Sequence, residues 1–315
     1  MRVWILGSGL IGGGWALVFA AAGHEVTVID PDPQAPARLA ALFSRAVPDM
    51  RALGLRVATD SPPPVVAAAA AVGPAPDWVQ ESLPEKLGLK QQALAEIEPL
   101  IGADTIIASS SSGLSPDDMA AGLAHPGRLV IAHPCNPSHL MPVVELCGGT
   151  ATPPAVMDRA AGVFQAMGKT VLRMNRAMPG HLVNRLQAAL WREAVFLAAE
   201  GVASLGDIER AVTQGLAPRW TILGPSAVFH VSGGDGGMER FLTALGPEFE
   251  RWWTTLGAPR LDEATGRTLV RGMAEADPRP VAEIAADRDA RLVRIMQYLR
   301  DEAAGNPNPA PGVGQ

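Results

Sequence analysis

Val3-Trp4-Ile5-Leu6-Gly7-Ser8-Gly9-Leu10-Ile11-Gly12 stands near the start of the chain, and Glu25-Val26-Thr27-Val28-Ile29-Asp30 follows shortly after. Residues 3–6 are few, apolar and partly β-branched, and a glycine closes them, as in a buried strand. Gly12–Ala22 reads as a helix and Glu25–Ile29 as a second strand. The spacing Gly7-x-Gly9-x-x-Gly12 therefore lies between a strand and a helix, the context in which such glycines cradle a dinucleotide. The first makes the tight turn, the second admits a pyrophosphate close to the backbone, and the third lets helix and strand pack closely. Amide donors at the helix head, including those of Leu10 and Ile11, and the partial positive charge there suit phosphate. A glycine turn with a strand-end acid is the plainer alternative. Asp30, eighteen residues after Gly12, decides between them. Its carboxylate can accept hydrogen bonds from ribose hydroxyls and would repel a 2′-phosphate, so NAD is expected rather than NADP.

The same pattern continues outward. Trp78–Val79, Thr105–Ala108 and Leu129–Ala132 read as further buried strands, and Arg38–Leu53, Glu85–Leu100 and Asp117–Leu123 as helices between them. Strands alternating with helices predict a parallel sheet covered on both faces, an α/β, Rossmann-type doubly wound fold. Val143–Leu146 and Thr170–Arg173 are expected to close one edge, flanking a helix from near Thr152-Pro153 to near Gly168. Beyond Met178-Pro179-Gly180 the spacing becomes helical throughout, with Asp207 expected to cap a helix over 208–214. The expected division is a dinucleotide domain over 1–178, a smaller all-helical substrate and dimerisation domain over 179–304, and a tail over 305–315 whose composition cannot pack.

The 315 residues suit two domains, and 48% are hydrophobic, enough for a sizeable core. Net charge is −6, lysine occurs only at Lys86, Lys90 and Lys169, and no basic run exists, which argues against nucleic acid or an anionic membrane as partner. Cys135 and Cys147 are too few for a disulfide framework and lack metal-site spacing. The longest apolar runs, such as 65–72, fall well short of the roughly 20 residues that span a bilayer. With a strand beginning almost at once, no leader is expected and the location expected is cytoplasmic.

The chemistry centres on Arg128-Leu129-Val130-Ile131-Ala132-His133-Pro134-Cys135-Asn136-Pro137. His133 ends a buried strand at the sheet edge where such folds bind ligands. Glu145, twelve residues later in Pro142-Val143-Val144-Glu145-Leu146, is a carboxylate in an apolar strand. Unpaired burial of such a group costs several kcal/mol, so it calls for a partner. A chain that folds back would let Glu145 hold one imidazole nitrogen while the other takes a proton from an alcohol. Alone, His133 also reads as a satisfied strand-end residue, and Ala108-Ser109-Ser110-Ser111-Ser112-Gly113 as a serine-rich turn capping a helix near Ser115.

Together these segments resemble the 3-hydroxyacyl-CoA dehydrogenase superfamily, and within it the lambda-crystallin/L-gulonate 3-dehydrogenase branch, with L-carnitine dehydrogenase a close rival. The matching motifs include Val79-Gln80-Glu81-Ser82, Pro84-Glu85, the serine run, His133–Pro137, Pro179-Gly180-His181-Leu182-Val183-Asn184-Arg185 and Gly215-Leu216-Ala217-Pro218-Arg219-Trp220. The resemblance implies His133 as general base, Glu145 as its orienting carboxylate, and Ser112 and Asn184 as hydrogen-bond partners of the reacting oxygen. It also implies Glu85, Lys90, Ser112 and Asn136 as NAD contacts. From the residues alone, Asn184 reads as an exposed helix residue, Lys90 as a solvated charge and Glu85 as a helix N-terminal acid.

The implied reaction is NAD-dependent oxidation of the 3-hydroxyl of a small hydroxy acid resembling L-gulonate. The alternatives are carnitine, a short-chain 3-hydroxyacyl-CoA, or a non-catalytic, crystallin-like structural protein. Between Asp30 and Glu81 the chain carries no lysine and only Arg38, Arg45, Arg51 and Arg56, a sparse set for the phosphates of CoA. Arg219 beside Trp220 is the candidate carboxylate anchor, by its bidentate fork and aromatic wall. An interface role suits the pair equally, and Trp220 also suits a quaternary ammonium. Trp252-Trp253 are expected to pack in a core. Homodimerisation through the helical domain is expected from Leu186, Leu190 and Phe196 on one helix.

Overall fold

In a computed structural model describing residues 1–303, the opening segment folds as β1 (Arg2–Leu6), α1 (Leu10–Ala21) and β2 (Glu25–Ile29). The chain continues through α2 (Ala35–Ala52), β3 (Val65–Val66), β4 (Trp78–Glu81), α3 (Leu87–Ile97), β5 (Ile106–Ser109), α4 (Pro116–Ala120) and β6 (Leu129–Pro134). After these come β7 (Val143–Gly148), α5 (Pro154–Ala166) and β8 (Thr170–Arg173). The expected tail over 305–315 lies outside the described residues. No helix among the described residues is long and apolar enough to cross a membrane.

The eight strands form one sheet in the order β3-β2-β1-β4-β5-β6-β7-β8. It is parallel from β3 to β6; β7 runs antiparallel to β6, and β8 parallel to β7. The chain winds outward from β1 to β3 and returns on the other side of β1, which makes the β1–β4 gap the switch point where doubly wound sheets take ligands. β3 pairs with β2 through Val65 and Val66; two residues are too few for a readable strand period, so the sequence gives no sign of it.

Alternation along the strands explains why they are apolar throughout. Val3 and Ile5 join one core with Trp15, Phe19, Phe43 and Phe164, while Trp4 and Leu6 join another with Leu94, Ile107 and Met119. In the first core Phe164 packs at a tilt against Trp15 and edge-on against Trp78, with ring centroids 5.2 and 5.4 Å away. α1 is buried continuously from Gly12 to Ala21, so the helix that presents the glycine loop is held on all sides.

Two compact units divide the chain: Met1–Asn184 with the stretch from Ala285 onward, and Arg185–Ile284. The second unit contains most of α6 (Val183–Ala199), then α7 (Leu205–Arg210), a π-helical turn (Ala211–Leu216), α8 (Ala217–Trp220), α9 (Pro225–Ser232), α10 (Gly237–Thr255) and α11 (Glu263–Ala276). α12 (Val281–Ala303) begins there, and from Ala285 belongs to the first unit.

Two expectations are corrected here. Ser204, not Asp207, caps α7: the Ser204 hydroxyl accepts from the Asp207 amide at 3.1 Å and donates to the Asp207 carboxylate at 2.5 Å. Asp207 is the third helical residue, its carboxylate accepting from the capping hydroxyl rather than starting the helix. Trp252 and Trp253 are 50% and 64% exposed, because α10 turns them away from the aromatic cluster of Phe229, Phe241 and Phe249, of which Trp252 touches only Phe249 at 4.8 Å.

Ser204→Ala should lower stability by about 1 kcal/mol, the usual loss for an N-cap. Chemical denaturation measures it, and an unchanged midpoint would return the capping role to Asp207.

Candidate active site

The glycine loop has the shape that a pyrophosphate needs. Gly7 has φ +88°, and a Cβ at Gly12 would stand 1.9 Å from the Gly7 carbonyl oxygen, so helix and strand approach as only glycine permits. A Cβ at Gly9 would meet nothing within 4 Å, which leaves open space on that side of the loop. No side chain caps α1, leaving the leading amides of Leu10 and Ile11 for an anion. Asp30 Oδ2 accepts from the Ser8 amide (2.7 Å) and hydroxyl (2.5 Å), and Oδ1 from the Asp32 amide (2.9 Å). Burial raises the Asp30 pKa, but these bonds and Arg38 more than offset it, so the carboxyl titrates below its ordinary value. Arg38 donates to the Ser8 hydroxyl at 2.9 Å and pairs with Asp32. The loop therefore fits a dinucleotide, with a fixed anion and one cation at the end where Asp30 lies.

The serine run is not a plain turn. Ser109 donates to Glu81 at 2.5 Å, and Ser110 accepts from Trp15 (3.1 Å) and Gln80 (3.0 Å). Ser111 donates to Glu85 at 2.6 Å, and the Ser112 hydroxyl lies 3.1 Å from His133 Nε2. Ser115, as expected, caps the following helix. Glu85, just ahead of α3, also accepts from the Ser112 and Gly113 amides, each at 3.0 Å. Burial raises its pKa; the Ser111 bond, the nearby charge of Lys90 and these amides outweigh that and leave it below the usual range.

Lys90 is no solvated charge. It is 1% exposed, and its ammonium binds both Glu81 oxygens (2.8 and 2.9 Å) and the Leu83 carbonyl (3.0 Å), with Glu85 at 3.5 Å. Three protons are matched by three acceptors, so Lys90 braces the carboxylates beside the loop. Glu81 escaped the sequence reading, although its setting in Trp78-Val79-Gln80-Glu81 carries the same signal as Glu145: a carboxylate in an apolar strand.

Antiparallel pairing sets His133 directly opposite Glu145. Glu145 is fully buried, and its Oε2 lies 2.7 Å from His133 Nδ1. Its other oxygen accepts the Leu182 and Val183 amides at 2.6 and 2.9 Å. A carboxylate surrounded by donors has no proton to offer, so Nδ1 carries the imidazole proton and Nε2 keeps its lone pair. Nε2 faces Ser112 Oγ and, at 3.4 Å, Asn184 Nδ2. Burial pushes the His133 pKa down and His181 adds to this, against the opposing bond and charge of Glu145 and the charge of Glu85. The net direction is below the ordinary imidazole value, which leaves a neutral base near pH 7.

His181 is a second residue that the sequence did not single out. It is 1% exposed with φ 47°, its Nε2 donates to the Ser111 carbonyl at 2.8 Å, and its ring centroid lies 5.2 Å from that of His133. Thus His133, Glu145, Ser112 and Asn184 lie within hydrogen-bond reach around one imidazole, while Asn136 is exposed on the loop after β6. In the second unit, Arg219 bonds the Gly215 carbonyl of its own turn at 3.1 Å, and Trp220 is 38% exposed.

Residues 2–177 match the NAD-binding domain of 3-hydroxyacyl-CoA dehydrogenase, and residues 180–272 match its C-terminal domain. The chain belongs to the 3-hydroxyacyl-CoA dehydrogenase family. It is an NAD-dependent oxidoreductase acting on a hydroxyl group. Among its relatives are the L-carnitine dehydrogenases of Streptomyces griseus, 43% identical over 94% of this chain and 89% of theirs, and of Pseudomonas aeruginosa, 38% identical over 95% and 94%. Among solved structures, 5-formyl-3-hydroxy-2-methylpyridine 4-carboxylic acid 5-dehydrogenase shares the fold, with a TM-score of 0.82 at 24% identity over 97% of this chain and 99% of that one. The 3-hydroxyacyl-CoA dehydrogenase from Archaeoglobus fulgidus gives 0.64 at 25% identity over 95% and 99%.

For this dehydrogenase, Gly9→Ala should leave the melting temperature unchanged yet weaken NAD at least tenfold, because the added methyl enters the open space that the cofactor needs. Gly12→Ala should lower both, with overpacking costing about 1–3 kcal/mol. Equal NAD titrations for wild type and Gly9→Ala would remove the loop from the site. Asp30→Ala should weaken NAD and relax discrimination against NADP, Arg38 remaining to meet a 2′-phosphate; steady-state rates with both cofactors test this.

Proposed function

We propose that this chain oxidises the 3-hydroxyl of L-carnitine to the 3-keto acid, with His133 as the general base. The observation that carries the chemistry is the imidazole held between Glu145 on one side and Ser112 and Asn184 on the other. A carbinol whose oxygen takes a place between Ser112 and Asn184 would meet the Nε2 lone pair, and His133 would accept its proton as the C–H bond breaks. Glu145 holds the Nδ1 proton in place and stabilises the imidazolium that results. Ser112 and Asn184 orient the oxygen. NAD, when bound, supplies the two-electron acceptor. The residues that would hold it are Gly7, Gly9, Leu10, Ile11, Gly12 and Asp30 in the loop and at the second strand's end, with Glu85, Ser112 and Asn136 beyond. Lys90 acts through Glu81 and Glu85.

The substrate assignment rests on the relatives, which are named for carnitine rather than gulonate. It also suits the chain's chemistry. A quaternary ammonium has no proton to donate and is held best by aromatic faces, for which Trp220 is available, and Arg219 offers a fork for the carboxylate. The sparse cations between Asp30 and Glu81 disfavour CoA. A homodimer through the helical unit is part of this reading. Of that unit's described residues, only Val195, Ala198, Ile208 and Phe241 are buried hydrophobics, whereas Leu186, Ile222 and Trp253 are 67%, 70% and 64% exposed. Apolar surface on that scale marks an association face.

NADH absorbance should rise fastest with L-carnitine, ahead of L-gulonate and 3-hydroxybutyryl-CoA; a higher kcat/KM for either rival would reject the assignment. His133→Ala should lower turnover about 10²–10⁴-fold with NAD affinity unchanged. The acid limb of the kcat/KM–pH profile should fall below the ordinary histidine pKa of 6.5, because the neutral base is needed and His133 titrates below that value. A limb above it would contradict the role.

A further inference from the structure

A cavity of about 600 Å³ opens where the ends of α1 and α2, the loop after β6, the start of β8 and α12 come together. None of the glycine-loop, serine-run or His133–Glu145 residues lines it. Its volume lies within the roughly 300–1,000 Å³ of small-molecule sites. Val18, Leu53, Leu140, Met167, Met296 and Leu299 give it aliphatic walls.

The polar part of the lining is one-sided. Arg56, His139, Lys169 and Arg300 line the cavity, and no aspartate or glutamate does. Lys169 binds only backbone oxygens, those of Ser138 at 2.5 Å and Met141 at 2.9 Å, which leaves one ammonium proton unassigned. Arg300 donates to the Leu53 carbonyl. Arg56 makes no ion pair or hydrogen bond among the described residues. His139 is 6% exposed and neither of its ring nitrogens has a hydrogen-bond partner among the described residues. Asp289, whose charge His139 feels, is taken by Arg288 at 2.7 Å. Burial draws the Lys169 pKa down to about 8 and, against the opposing charge of Asp289, the His139 pKa down to about 4.

Three cationic side chains around a hydrocarbon-walled space that no acid lines are complementary to one kind of guest. We propose that this cavity binds an aliphatic carboxylate of medium chain length, its head on Arg56, Lys169 and Arg300 and its tail along the aliphatic wall. Guanidinium groups bind carboxylates through paired N–H donors, and the tail exchanges water for the side chains of α1, α2 and α12. The fold supplies the site with no part of the dehydrogenase machinery, so occupancy does not require turnover.

The test is calorimetric titration of the full-length, NAD-saturated enzyme with sodium octanoate. One saturable site is expected, weakened about tenfold or more by Arg56→Ala combined with Arg300→Ala, while turnover without octanoate is unchanged in that variant. Lys169→Met should abolish binding; should it fail to fold, the arginine pair decides alone. Octylammonium, with the same chain and the opposite charge, should not bind. Absence of saturable binding, equal affinity in the arginine variant, or equal binding of octylammonium would each overturn the proposal; the second result would move octanoate to the substrate site.

Discussion

The register of β6 against β7 fixes the chemistry of this protein. An imidazole and a carboxylate twelve residues apart in sequence become direct partners across two hydrogen-bonded strands, so their alignment is built into the sheet. A shift by one residue would turn Glu145 to the opposite face. It would strip a buried carboxylate of three donors at once, since Glu145 also accepts the two amides at the head of α6. Leaving such a group unsatisfied costs more than the net worth of any one of its bonds. The same residue thus sets the tautomer of His133 and fixes the turn that brings Asn184 beside it.

Polar groups around this pair follow one rule: each acid beside the serine run, whether buried like Glu81 or exposed like Glu85, has donors assigned to it. Glu81 has Lys90 and Ser109; Glu85 has Ser111 and two amides. The four serines at 109–112 therefore serve separate partners, and hydroxyls suffice because each donates or accepts along a short, fixed direction.

Much of this could be read from residue order. The glycine loop with Asp30, the alternation of strands and helices, and the pairing of His133 with Glu145 follow from patterns with a physical period or cost. Other features could not be read. Lys90 looks solvated because sequence does not show that it meets a fully buried Glu81 on a central strand, and His181 looks ordinary because its place beside His133 depends on a turn at positive φ. Asp207 and Ser204 are both good caps, and only helix phase separates them. Trp252 and Trp253 misled because size and hydrophobicity alone do not say which side of α10 faces inward. Where a residue's role depends on a partner distant in sequence and lacking a period of its own, resemblance to a family supplied what periodicity could not.

The way this chain uses its three lysines has a practical outcome. Lys90 is enclosed by carboxylates and Lys169 is clasped by backbone carbonyls, while Lys86 is exposed beside Glu85. Of the three, Lys86 alone stands open to solvent, the side chain that an acylating dye applied to the folded protein meets most freely. A fluorophore attached there would sit one residue from a group assigned to the dinucleotide, reporting its arrival without an engineered cysteine.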